Sequence, residues 1–178
     1  CADCHSTNLL SKYDLEQDRF TTTWDELNVS CEACHGPGGR HIAWVHDNPD
    51  SESLPHAGFD IAFDERRNVV WQLQAKTGNS QRSMPRITST EINACAGCHS
   101  RRSRIADNND PAVPFLDNYI PAFIDPPLYH PDGQMLDEVY VYGSFLQSKM
   151  HQAGVTCSDC HDPHSTQLRA PGPAVCLQ

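Results

Sequence analysis

Apolar residues along this chain come in short groups, each cut off by Gly, Pro or a polar run, so few stretches are long enough to predict an element. Trp24 to Cys34 reads as a helix leading into a cysteine pair. Thr88-Ser-Thr-Glu91 is a capping-box pattern that starts a helix through Ala94, Cys95 and Cys98. Ser144 to Gln152 predicts a third helix, stopped by Gly154, and a short helix is expected around His46. Ile61 to Phe63, the polar Asp64 to Asn68, and Val69 to Leu73 read as a small β-hairpin, with a polar partner segment after Lys76-Thr-Gly-Asn79. Val139 to Tyr142, alternating Val and Tyr, reads as a strand. From Asp107 to Pro131, Pro111, Pro114, Pro121, Pro126, Pro127 and Pro131 predict an extended connection. The longest apolar runs, Val69 to Trp71 and Val139 to Val141, fall far below the ~20 residues of a membrane-spanning helix.

Cysteine spacing changes the picture. Eight of the nine cysteines form pairs two residues apart, each followed at once by His: Cys1, Cys4 and His5; Cys31, Cys34 and His35; Cys95, Cys98 and His99; Cys157, Cys160 and His161. Cys-x-x-Cys-His is the attachment pattern of c-type haem. Two thiols three positions apart can both add to the porphyrin vinyl groups, and the adjacent imidazole then falls under the iron as proximal ligand. Zinc sites, thioredoxin-like pairs and structural disulfides use Cys pairs without needing the histidine. With 10 His in 178 residues, chance places a His at one given position about once in 18, and at all four about once in 10⁵. Four haem c groups are expected. The ninth cysteine, in Cys176-Leu-Gln178, matches the opening of a fifth motif, so the chain is expected to be a piece of a longer protein, with a free thiol as the alternative. An N-terminal Cys also fits a lipid anchor, but Cys1 already belongs to a haem motif.

Electron-transfer haems take a second strong ligand, His or Met. Beyond the four proximal histidines, His41, His46, His56, His130, His151 and His164 are available, six for four distal positions. His41 follows His35 across Gly36-Pro-Gly-Gly39, a turn that can project it towards a neighbouring haem. His164 is too close to His161 to cap the same haem and is expected to reach another. His151 ends the 144–152 helix six residues before Cys157, and His130 lies in the Pro-rich connection. His41, His130, His151 and His164 are the expected distal ligands. His46 and His56 compete less well, and Met150 reads as core. Arg101, Arg102 and Arg104, just after His99, are candidate partners for haem propionates.

The chain carries 13 Lys+Arg against 23 Asp+Glu, a formal charge of −10. It has no Lys/Arg-rich block, which sets a nucleic-acid binder aside. Hydrophobic residues make up 38%, a thin supply for a purely protein core. The expected fold is mainly α with extensive loop and a small β-hairpin, in which stacked haems form the core. One domain over 1–178 is expected, with a haem pair in 1–47, the hairpin spacer in 48–88, and the third and fourth haems in 89–178. Phe115, Leu116, Tyr119, Ile120, Phe123 and Ile124 would then shield porphyrin edges.

Several stretches resemble a known group: Cys1-Ala-Asp-Cys-His-Ser-Thr-Asn8, Val29-Ser-Cys-Glu-Ala-Cys-His-Gly-Pro-Gly38 with His41, Cys98-His-Ser-Arg-Arg102, Glu138 to Met150, and Gly154 to Ser165. Together they resemble bacterial multihaem cytochromes fused to tetratricopeptide repeats, which are similar to the hydroxylamine-oxidoreductase and octahaem-cytochrome superfamily. The resemblance implies that His41 and His164 ligate other haems. Members of that group carry a further upstream motif and helical repeats that this chain does not show. No Cys pair is followed by Lys, the pattern of the superfamily's Lys-ligated haem, and Tyr140 and Tyr142 read as strand rather than as catalytic residues.

Electron transfer through four bis-His haems is the leading expectation, more so than an enzyme. The alternatives are a stacked-haem conductive filament, or the relay part of an oxidoreductase acting on a nitrogen or sulfur oxyanion. Expected partners are redox proteins or a neighbouring copy, with no nucleic acid. Haem attachment to reduced thiols after export implies a periplasmic or extracellular protein.

Overall fold

Antiparallel two-stranded ribbons and helices of mostly one turn make up the chain in a computed structural model that describes residues 1–49, 56–107 and 110–176. Residues 50–55 of the 48–88 spacer, 108–109 of the Pro-rich connection and 177–178 after Cys176 lie outside the described residues. In chain order come β1 (Ser6–Thr7), β2 (Tyr13–Asp14), β3 (Arg19–Phe20), β4 (Glu26–Leu27), α1 (Glu32–His35) and α2 (Gly39–Asp47). β5 (Trp71–Leu73) and β6 (Ser80–Arg82) precede α3 (Thr90–His99), and β7 (Arg102–Arg104), α4 (Phe115–Asn118) and β8 (Tyr119–Pro121) follow it. Then come α5 (Tyr142–Leu146), α6 (Lys149–Gln152), α7 (Cys157–Cys160), β9 (His161–Asp162), β10 (Gln167–Leu168) and a final 3-10 turn, Gly172–Cys176. The ribbons pair β1 with β4, β2 with β3, β5 with β6, β7 with β8 and β9 with β10.

Two compact units divide the residues: Cys1–Ala62 with Asn93–Phe123, and Phe63–Ile92 with Ile124–Gln178. The first buries Leu9, Ile61, Ala96 and Phe115. Its Thr7 donates to the Asn28 carbonyl and accepts from Ser30 N–H, both at 2.9 Å, which ties the approach to α1 onto β1. The second unit buries Ile92, Tyr129 and Val139, with Glu65, Arg82, Glu91 and Asp159 among them. Among the described residues, seven buried apolar side chains stand against nine buried polar ones. Hydrocarbon packing is therefore a small part of what holds each unit, and hydrogen-bonded polar groups carry more than is usual.

Several elements differ from the sequence reading. Trp24 to Cys34 is not one helix: Glu26 and Leu27 pair with Thr7 and Ser6, and Asn28 takes a left-handed φ of 80° that ends any helix there. Only the last turn, α1, is helical. The hairpin is β5 with β6, Trp71 opposite Arg82, turned through Gly78 at φ 69°, while Ile61–Phe63 lies outside any strand. The 144–152 helix is two, α5 and α6, because Ser148 goes extended and its hydroxyl caps the second helix by accepting from His151 N–H at 3.1 Å. Gly154, at φ 88°, ends α6 as expected, with its N–H on the His151 carbonyl. Val139–Val141 forms no strand, since Tyr140 sits at φ 59° and α5 starts at Tyr142. The Thr88–Glu91 pattern does start α3, but Glu65 supplies the cap: its Oε1 accepts from Glu91 N–H and from the Thr88 hydroxyl, each at 3.0 Å.

Candidate haem-attachment sites

Each Cys-x-x-Cys pair lies on a single helical turn. The first is a hydrogen-bonded turn in which His5 N–H reaches the Cys1 carbonyl at 3.0 Å. The second runs into α1, with His35 N–H on the Cys31 carbonyl at 2.9 Å. The third lies inside α3, and the fourth is α7, where His161 N–H reaches the Cys157 carbonyl. One helical turn puts residues i and i+3 on one face, so the two thiols of each pair can meet one planar group. The i to i+4 bond then places the histidine at the end of the same turn.

The residues between the cysteines tie each loop to its unit, a role the sequence reading did not assign. In the second motif, Glu32 Oε1 accepts from Gly38 N–H at 2.9 Å. In the fourth, Asp159 Oδ2 accepts from Thr156 N–H at 2.8 Å, closing a capping box, and its Oδ1 accepts from Arg66 Nε at 3.1 Å and Trp71 Nε1 at 3.2 Å. Ser158 Oγ donates to Glu91 Oε2 at 2.7 Å. In the first, Asp3 holds both Arg102 and Arg104, which are part-buried. Arg102 also donates from Nε to the Gly97 carbonyl of the third motif at 2.9 Å. Arg102 and Arg104 thus engage protein carboxylate and carbonyl groups. A signal was present in the sequence: three of the four Cys-x-x-Cys loops carry an acidic residue.

Three of the motifs come together in the first unit. Cys4 Sγ lies 3.9 Å from the Cys98 carbonyl, and the charges of Cys4 and Cys34 both act on the Cys98 thiol. Burial first, then Cys4, pushes that thiol up to about 12, with Arg102 opposing. Burial also raises Cys34 and, in the second unit, Cys160, whose neighbours Asp159 and Cys176 add to the effect. Thiols raised in this way are the opposite of the low-pKa thiolates of redox or metal-thiolate sites. Among the described residues, no three His, Cys, Asp or Glu side chains gather as a metal site.

The histidines divide by environment. His35 and His41 both pack on Phe59, with ring centroids at 4.8 and 4.0 Å. His35 Nδ1 engages the Ile61 carbonyl at 3.2 Å and His41 Nδ1 the Ala57 carbonyl at 2.6 Å. A carbonyl on Nδ1 keeps the proton there and the lone pair on Nε2, the tautomer and orientation of a metal-ligating imidazole. Gly58, between those carbonyls, has φ 77°, and a Cβ there would lie 2.7 Å from the Arg40 carbonyl of α2. His46, on the same helix, is exposed beside Asp47. His151 sits in α6 with Nε2 at 2.8 Å from Arg86, and burial together with that guanidinium holds it below the usual imidazole range, hence neutral. His130 and His164 are exposed, as are His5, His99 and His161, and His56 lies at φ 73° next to undescribed residues.

Covalently attached haem fits these residues: paired thiols on one turn, an imidazole beside each pair, and Nδ1-anchored tautomers where a ring is half-buried. Arg82, Arg86 and Arg104 each keep a buried Nε with no hydrogen-bond partner, donors that a carboxylate such as a propionate would satisfy. No helix of the described residues is long and apolar enough to cross a membrane. No curated protein and no solved structure matches the chain. Residues 1–36, which contain the first two motifs, match the family model for cytochrome c554 and c-prime, and that match supports a c-type cytochrome, with covalent haem and electron transfer as its chemistry.

Proposed function

We propose that this chain is a multihaem electron carrier with four haem c groups, attached at Cys1/Cys4, Cys31/Cys34, Cys95/Cys98 and Cys157/Cys160, and ligated proximally by His5, His35, His99 and His161. One observation carries the reading: each of the four pairs lies on a helical turn with its histidine at the end of that turn. When bound, each haem supplies a one-electron iron couple. The protein's part is to anchor the turns through Glu32, Asp3, Ser158 and Asp159 and to set the imidazole tautomer at His35 and His41.

His41, His130, His151 and His164 are the proposed distal ligands, and the Nδ1 anchor and ring packing of His41 support it most directly. The small apolar core supports porphyrins as packing material, and the exposed Leu116, Ile120, Phe123 and Ile124 supply apolar surface to cover them. We place the chain within the tetratricopeptide-repeat-associated cytochromes, with three attachment motifs in the first unit and one in the second, acting in the periplasm or outside the cell with redox proteins as partners. The test is to count haem by intact mass and pyridine haemochrome on the exported protein, then to record its paramagnetic resonance with added carbon monoxide. Four haems, all low-spin and refractory to carbon monoxide, are expected. A count below four overturns the attachment scheme, and a high-spin haem that binds carbon monoxide overturns the pure carrier.

A further inference from the structure

The first and third motifs, 94 residues apart, are joined by one side chain. Arg102 has a side chain only 9% exposed. It pairs with Asp3, the residue before Cys4, and donates to the carbonyl of Gly97, the residue before Cys98. Its Nη2 lies 4.0 Å from Cys4 Sγ, and its guanidinium carbon stands 4.0 Å over the Tyr119 ring. The planar fork of Arg, with donors on three nitrogens, can hold a carboxylate and a carbonyl at once, which a Lys ammonium cannot do in a fixed geometry. Arg104 shares Asp3, donates to the Leu9 carbonyl at 2.8 Å, and reaches the more exposed Asp107 at 3.4 Å. Two part-buried guanidinium charges therefore face one part-buried carboxylate, with Asp107 further out.

We propose that Arg102 is a positioning residue that sets the first attachment turn against the third, and that its charge raises the potential of the haem on Cys1 and Cys4. The proposal rests on the haem reading above. A positive charge in a poorly solvated position beside the attachment sulfur favours the reduced haem, which carries one more electron. Asp3 works against it. The two residues are expected to move one potential in opposite directions, whereas loosened packing alone would move both variants the same way.

The test compares the exported, haem-loaded protein with its Arg102→Gln, Arg102→Lys and Asp3→Asn variants by spectroelectrochemical titration. The affected haem is identified as the one missing when Cys1 and Cys4 are both replaced by Ala. In Arg102→Gln that haem's reduced-to-oxidised ratio at a given potential is expected to fall about tenfold, ~59 mV for one electron. It is expected to rise in Asp3→Asn and to stay near wild type in Arg102→Lys. Unchanged potentials in Arg102→Gln, or shifts of the same sign in Arg102→Gln and Asp3→Asn, overturn the proposal. If Arg102→Gln does not accumulate, Asp3→Asn decides, and anything other than a rise overturns it. A wild-type protein without haem at Cys1 and Cys4 overturns the haem reading and this one together. Full wild-type loading with unmoved potentials overturns this one alone.

Discussion

A histidine can serve iron at neutral pH when one ring nitrogen is held elsewhere and the other keeps its lone pair, and His41 meets that condition through the Ala57 carbonyl. His46, five residues on and solvated beside Asp47, does not. Replacing His41 by Ala should convert one haem from low- to high-spin in paramagnetic resonance, and replacing His46 should leave the low-spin count unchanged. The haem motif itself was readable from residue spacing, because two thiols and an imidazole within five positions need only one helical turn to meet one ligand. The partners of the intervening residues were not readable, because they come from far along the chain. Asp159 receives Arg66 and Trp71 from 93 and 88 residues away. Asp159→Ala leaves the buried Thr156 N–H and those two part-buried donors without this acceptor, and should cost about 1–3 kcal/mol in denaturant unfolding.

Among the elements, those whose ends are set locally matched their pattern. Gly154 stops α6, and the last turn of α3 carries the third motif to His99. Elements that depend on a partner strand did not match. Glu26 and Leu27 have ordinary helix propensity, yet pairing with β1 claims their backbone groups, and the 24–34 pattern yields helix only at its end. The start of α3 shows the same principle at a cap, since Glu65 reaches it from another part of the chain. Glu65→Ala should weaken the second unit by about 1–2 kcal/mol, read by thermal unfolding, and Glu65→Gln, which keeps the acceptor oxygen, should recover most of it.

Across the whole molecule, a formal charge of −10 favours basic partners. In the proposed four-haem form the balance shifts in both directions, since four ferric bis-His irons would add about +4 and their propionates up to about −8. Reduction by a cationic redox protein should slow as ionic strength rises from about 0.01 to 0.15 M, where the screening length falls from about 30 to 8 Å, and a stopped-flow salt series reads it directly. The grouping of motifs belongs to this scale. Motifs one, two and three share a unit, while the fourth lies with Cys176 in the other. By itself the sequence carried the haem-attachment pattern, the candidate attachment residues, the shortness of the apolar runs and the acidic balance, because each depends on near neighbours or on composition. Only the tertiary structure decided that Arg102 joins two motifs, that His41 is anchored and His46 is not, and that Glu65 and Asp159 are structural. Those depend on which distant backbone and side-chain groups fold into reach, and no local pattern encodes that distance.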